Sequence, residues 1–207
     1  MTNFKTFYTL FRNKGCFSVK EVYDVFKTFD KNNLTRWCQQ RQLIKVRNGY
    51  YLFPEFLQDK RFLYFVANCI YPASYVSLHS ALIAANFLLP TSYSHINSVS
   101  QYKTTCFNNW IGKFSYQKIQ NHLHFGIEKI DAQFPYLIAQ PEKALLDLFY
   151  LNAPYFSTES SIRAIALNLE TLYYYFDIHR FQTYLHRFEN KALEQRATLF
   201  LQIYGLS

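Results

Sequence analysis

Thr35, Arg36, Gln39 and Gln40 are spaced so that a helix would carry all four on one side. Their donors and acceptors suit a surface that reads the edges of DNA bases. An arginine can bond two acceptors of guanine, and a glutamine the donor–acceptor pair of adenine; each such contact discriminates by ~1–3 kcal/mol. Arg41, Lys45, Arg47 and Asn48 follow closely and offer donors for phosphate or the minor groove. No acid lies between Asp30 and Glu55, whereas a merely solvated helix face would carry Glu as freely as Lys.

Periodicity indicates the elements that must hold these groups. Leu34, Trp37 and Cys38 fall at i, i+3 and i+4, which predicts a helix over 32–41 with these three facing inward. Residues 43–53 alternate about Asn48-Gly49, a pair that tolerates positive φ, and so predict a two-residue hairpin, or wing. Upstream, Phe4, Phe7, Tyr8 and Phe11 predict a first helix, stopped near Lys14-Gly15. Ser18 and Glu21 have the spacing of a capping box, with Phe17 placed as its staple. The box opens a second helix striped by Val19, Val22, Tyr23 and Phe26, and residues 30–33 form a polar turn that caps the third. Helices followed by a basic hairpin, in this order, make the pattern of a winged helix-turn-helix.

Charge supports the same segment. Residues 1–53 hold ten Lys/Arg and three acids, so +7 of the formal +8 lies there. Such a segment suits a polyanion, because each neutralised phosphate releases counterions. Half of the 207 residues are apolar, enough for a substantial core, and the 20% aromatic share reads as aromatic core packing.

Residues 54–58 read as a junction. Helices are predicted over 61–70 and 77–87, the latter capped by Ser77 or Ser74. Strands are predicted over 96–102, 110–119, 123–130 and 135–139. A helix over 141–151 starts with Pro141 and Glu142 and has an apolar face of Ala144, Leu145, Leu148 and Phe149. From about residue 157 the chain reads as helical, with a break near 175–177. The expected fold class is α+β: an N-terminal winged helix-turn-helix (1–56), then a larger domain (57–207) with a small, mostly antiparallel sheet, flanking helices and a helical C-terminal tail.

Other chemistry is sparse. His122 and His124 would share one face of a strand but have no third ligand at a telling spacing. Ser77 and His79 lie two apart and cannot face each other on a helix. Glu142 suits the helix start, and Lys143 pairs with Asp147 at i, i+4. The five glycines are isolated, so no phosphate loop is formed. No catalytic residue, metal or cofactor is expected, and the chain reads as not an enzyme. Arg163, Arg180, Arg187, Lys191 and Arg196 read as solvated.

The start of the chain alternates polar and apolar residues, so no signal peptide is expected. Its longest apolar clusters, such as 81–89, fall short of the ~20 residues a membrane helix needs. Cys16, Cys38, Cys69 and Cys106 form no CxxC pair and read as reduced thiols of a cytoplasmic protein.

Several stretches resemble a known family. They are Phe17-Ser18-Val19-Lys20-Glu21-Val22, the Arg36-Trp37 pair ahead of Leu43 and of Gly49-Tyr50-Tyr51, and above all two later blocks. The blocks are Pro72-Ala73-Ser74-Tyr75-Val76-Ser77-Leu78-His79-Ser80-Ala81-Leu82 and Ile138-Ala139-Gln140-Pro141-Glu142-Lys143-Ala144-Leu145-Leu146-Asp147-Leu148. Together they resemble the AbiEi family of abortive-infection antitoxins over most of the chain. The resemblance implies an N-terminal domain that binds double-stranded DNA at its own promoter and represses its operon. It also implies a C-terminal domain that counteracts a partner toxin of the nucleotidyltransferase type. One departure is Arg41-Gln42-Leu43, where the family has an Xaa-Gly-Leu turn. Two other functions fit the residues alone: a stand-alone winged-helix regulator with a sensing or dimerising second part, and a protein–protein adaptor.

Overall fold

Asn3 accepts a hydrogen bond from the Thr6 amide at 2.8 Å and so starts helix α1 (Phe4–Phe11) in the computed structural model, which describes residues 2–89 and 95–206. A 3-10 turn, Arg12–Lys14, ends at Gly15, whose φ of 64° reverses the chain into strand β1 (Cys16–Ser18). The expected capping box is complete: the Ser18 hydroxyl accepts from the Glu21 amide, the Glu21 carboxylate accepts from the Ser18 amide, and α2 (Val19–Val25) begins there. Burial alone would raise the Glu21 carboxyl, but hydrogen bonds from Lys14 and Ser18 outweigh it and hold the group below the usual range.

Helix α3 (Asn32–Gln39) and strands β2 (Ile44–Arg47) and β3 (Tyr50–Leu52) follow. The three strands form an antiparallel sheet in the order β1-β3-β2. β1 was not foreseen, because three residues next to a capping box are too few to show a period of two.

The two faces of this sheet have different neighbours. On one side Phe7, Phe11, Phe17, Phe29, Leu34, Trp37 and Phe53 form a small aromatic core. Phe7 lies 4.7 Å from both Phe11 and Trp37, ring centre to ring centre. On the other side Cys16, Ile44, Val46 and Leu52 belong to the core of the rest of the molecule. Gly15 marks the closeness of that fit, since a Cβ there would lie 2.5 Å from the Phe134 ring.

After a 3-10 turn, Pro54–Gln58, the larger part contains α4 (Phe62–Ile70), β4 (Ser74–Val76), α5 (Leu78–Ala84), β5 (His95–Ser100), β6 (Thr105–Asn109), β7 (Gly112–Lys118), β8 (Ile127–Ile130), β9 (Tyr136–Ala139) and α6 (Pro141–Leu151). The six strands form one sheet, β6-β7-β5-β4-β9-β8. Its three antiparallel pairings are joined by two parallel ones, β5 with β7 and β4 with β9.

The α+β class is as expected, but the sheet is larger, because β4 and β6 were missed. β4 is central, short and buried at all three residues, so it shows no alternation. β6 pairs only with β7, and none of its residues is fully buried. Two other readings are corrected. Ser74 lies in β4, leaving Ser77 at the start of α5. Residues 123–130 are strand only from Ile127; His122 lies in a 3-10 turn, so it and His124 share no strand face.

The helical end of the chain is α7 (Glu159–Arg163), α8 (Leu169–Tyr175), α9 (Ile178–His186) and α10 (Lys191–Tyr204). Thr158, Asn168, Asp177 and Asn190 each cap one of these helices. They fold back instead of trailing: Phe181, Leu193, Ala197 and Phe200 are buried in the main core beside Phe149 of α6.

Segments 72–82 and 138–148 meet in this core. Val76 of β4 pairs with Ile138 of β9. Asp147 of α6 accepts from the Ser77 hydroxyl at 2.8 Å and the Tyr75 hydroxyl at 3.0 Å, and pairs with Lys143, which donates to Tyr75 at 3.1 Å. Lys143 and Asp147 are both fully buried, and the ammonium faces the rings of Tyr75, Phe125 and Phe188. Burial pushes the Lys143 ammonium below its ordinary range, against the opposing pull of Asp147.

Candidate nucleic-acid interface

Both ends of α3 are defined by hydrogen bonds. At its start the Asp30 carboxylate accepts from the Asn32 amide at 2.9 Å, while Lys31 at the cap position makes no side-chain capping bond. At its end the Arg41 amide donates to the Cys38 carbonyl at 3.0 Å and the Gln42 amide to the Trp37 carbonyl at 2.9 Å. This is a Schellman stop, whose left-handed residue is usually glycine. Here that residue is Arg41, with φ of 59°. A side chain at such a φ costs ~1–2 kcal/mol, so the position carries strain.

Between these ends the helix divides as its periodicity predicted. Leu34 and Trp37 are buried and Cys38 is half-buried, while Thr35, Arg36, Gln39 and Gln40 are exposed. One edge of the Arg36 guanidinium is anchored: Nη2 donates to Oδ1 of Asn33 at 2.8 Å. Asn33 itself is buried. That contact pre-orients the arginine and leaves its other N–H groups for an outside acceptor. Burial pushes the Cys38 thiol up, with Lys45 opposing.

The expected hairpin turns at Asn48-Gly49, where Gly49 has φ of 82°. Lys45 and Asn48 are exposed. Arg47 is not available in the same way. Its guanidinium donates to the Ile70 carbonyl and lies over Tyr50 at 4.9 Å and Phe107 at 4.6 Å. It joins the β2–β3 hairpin to the larger part. Two other cations of the basic segment are paired, Arg12 with Glu55 and Lys14 with Glu21. Thr35, Arg36, Gln39, Gln40, Arg41, Lys45 and Asn48 therefore remain on the surface.

The sequence reading missed a neighbour. β6 and β7 are joined by the two-residue turn Trp110-Ile111, and Trp110 is 75% exposed. Its side chain shares a concavity of about 690 Å³ with Cys38, Arg41, Leu43, Ile44, Lys45 and Pro54. Asn108-Asn109 before the turn and Gly112 after it are the sequence signal for this turn, which the apolar alternation of 110–119 masks.

The chain matches no protein-family model, and no curated protein matches it. Among the described residues, no three His, Cys, Asp or Glu are grouped to hold a metal, and no helix is long and apolar enough to cross a membrane. The four cysteines are free thiols.

Proposed function

We propose that residues 1–56 are a winged helix-turn-helix that binds duplex DNA, with α3 in the major groove and the β2–β3 hairpin at the flanking backbone. The supporting observation is the exposed face of α3, where Thr35, Arg36, Gln39 and Gln40 stand together without an acid. A helix in the major groove needs such a face: bidentate donors for base edges, backed by cations for phosphate. Arg41 and Lys45 supply the cations, and Asn48 the tip of the wing.

On this reading the chain is an autorepressing antitoxin. Residues 57–207 counteract a nucleotidyltransferase-type toxin, and the protein acts in the cytoplasm without catalysing a reaction. That second role is supported by the two blocks that resemble the AbiEi family, 72–82 and 138–148, which supply the buried centre of the larger part.

The test is a mobility-shift titration of the full chain on DNA from upstream of its own reading frame. Binding is expected to weaken linearly in log–log form with salt, by roughly 0.9 log units per decade for each phosphate neutralised. Salt-independent binding, or none at low salt, contradicts the reading. Coexpression with a cotranscribed nucleotidyltransferase tests the antitoxin role, which fails if growth is not restored.

A further inference from the structure

We propose that the turn between β6 and β7 is a second DNA-contacting element, with the Trp110 indole lying against the sugar–phosphate edge of the duplex beside the segment that α3 reads. This inference rests on the DNA-binding reading above and extends it to a part of the chain outside the winged helix.

Exposure of one tryptophan carries little by itself, because single apolar side chains are common on surfaces. The placement of this one carries more. Nδ2 of Asn109 donates to the Val46 carbonyl of β2 at 2.8 Å, and Oδ1 of the same side chain accepts from the Ile111 amide at 3.0 Å. Asn109 thus both shapes the turn and fastens it to the wing. The Arg47 guanidinium, over Phe107 of β6 and Tyr50 of β3, makes a second fastening between the same two hairpins. The tip that carries Trp110 is a fixed extension of the wing sheet.

The composition of the concavity selects its occupant. Leu43, Ile44, Pro54 and the indole are apolar, Arg41 and Lys45 are cationic, and no carboxylate among the described residues lines it. The backbone of a DNA strand offers the complementary alternation, with deoxyribose for the indole and phosphates for the two cations. Continuity with the exposed α3 face favours a duplex, because Arg41 belongs to both: it ends that helix and lines the concavity.

The chain has two tryptophans, and Trp37 is 2% exposed, so a neutral quencher such as acrylamide reads Trp110 selectively in the intact protein. The full chain is titrated with a labelled duplex of its own upstream DNA until anisotropy saturates, and quenching is then measured. We expect quenching to fall to the level of the Trp110→Phe variant, and Trp110→Ala to bind about tenfold more weakly, as for truncation of an aromatic anchor in an interface. Thermal unfolding of Trp110→Ala is expected to match the parent. If Trp110 stays fully quenchable in the saturated complex, or Trp110→Ala binds as tightly as the parent, the hairpin proposal is overturned while the DNA-binding reading stands. If a mononucleotide protects the indole and the duplex does not, the concavity is a small-ligand site and the proposal is again overturned. If the parent binds no duplex at all, the underlying reading fails, and the hairpin proposal with it.

Discussion

Arg41 is a strained residue at the edge of the proposed interface. It holds the left-handed stop of α3, where glycine would relieve strain, and instead places a cation at the edge of the proposed interface. Arg41→Gly should therefore stabilise the fold by ~0.5–1 kcal/mol, the relief of strain being partly offset by the greater freedom of glycine in the unfolded chain. The same change should weaken DNA binding and make it less dependent on salt. Denaturant unfolding and a salt titration together check this; a less stable variant, or unchanged binding, contradicts it. Arg47 carries the opposite lesson. It was expected on the wing surface from its spacing, but its partners, the Ile70 carbonyl and the Phe107 ring, lie far along the chain. Local patterning reports which way a residue can face, and cannot report a partner that only the tertiary fold brings near.

At the scale of elements, legibility followed the length and amphipathicity of each segment. α3 carries a clear apolar stripe and a chemically distinct outer face, and its division into inside and outside was readable before any coordinates. The capping box at Ser18 and the turn at Asn48-Gly49 were equally legible, because each is set by contacts within a few residues. β4 and β6 were not, because one is buried on all sides and the other is an edge with a single partner. The pairing of Lys143 with Asp147 could be read from their i, i+4 spacing, but not its burial, which depends on β4, Phe125 and Phe188 closing around it. That burial makes a sharp prediction. Asp147→Asn strands a buried ammonium and should cost roughly 3–5 kcal/mol, whereas Asp131→Asn, which breaks the exposed pair with Lys129, should cost less than about 1 kcal/mol. Chemical denaturation of both variants decides, and equal effects would mean that Lys143 is compensated by something other than Asp147.

Over the whole molecule, the basic segment and the larger part share a sheet face. Cys16, Ile44, Val46 and Leu52 pack into the larger core, Phe134 fills the space that a side chain at Gly15 would need, and Asn109 and Arg47 tie the wing to β6. The sequence marks a boundary near residue 56 through its shift in charge, but the apolar contacts across that boundary could not be seen there. They put the α3 face and Trp110 on one fixed surface. Segments 72–82 and 138–148 are mostly buried, so they build the interior of the larger part.

The central claim is that α3 reads bases. It is tested most directly by comparing the parent chain and Arg36→Ala on two labelled duplexes, the chain's own upstream sequence and a scrambled sequence of equal length and composition, at one salt concentration. The parent should prefer its own sequence, and Arg36→Ala should lose ~1–3 kcal/mol on that duplex, with a much smaller loss on the scrambled one. Equal losses on both duplexes would make Arg36 a phosphate contact only, and no loss on either would contradict the placement of α3 in the major groove.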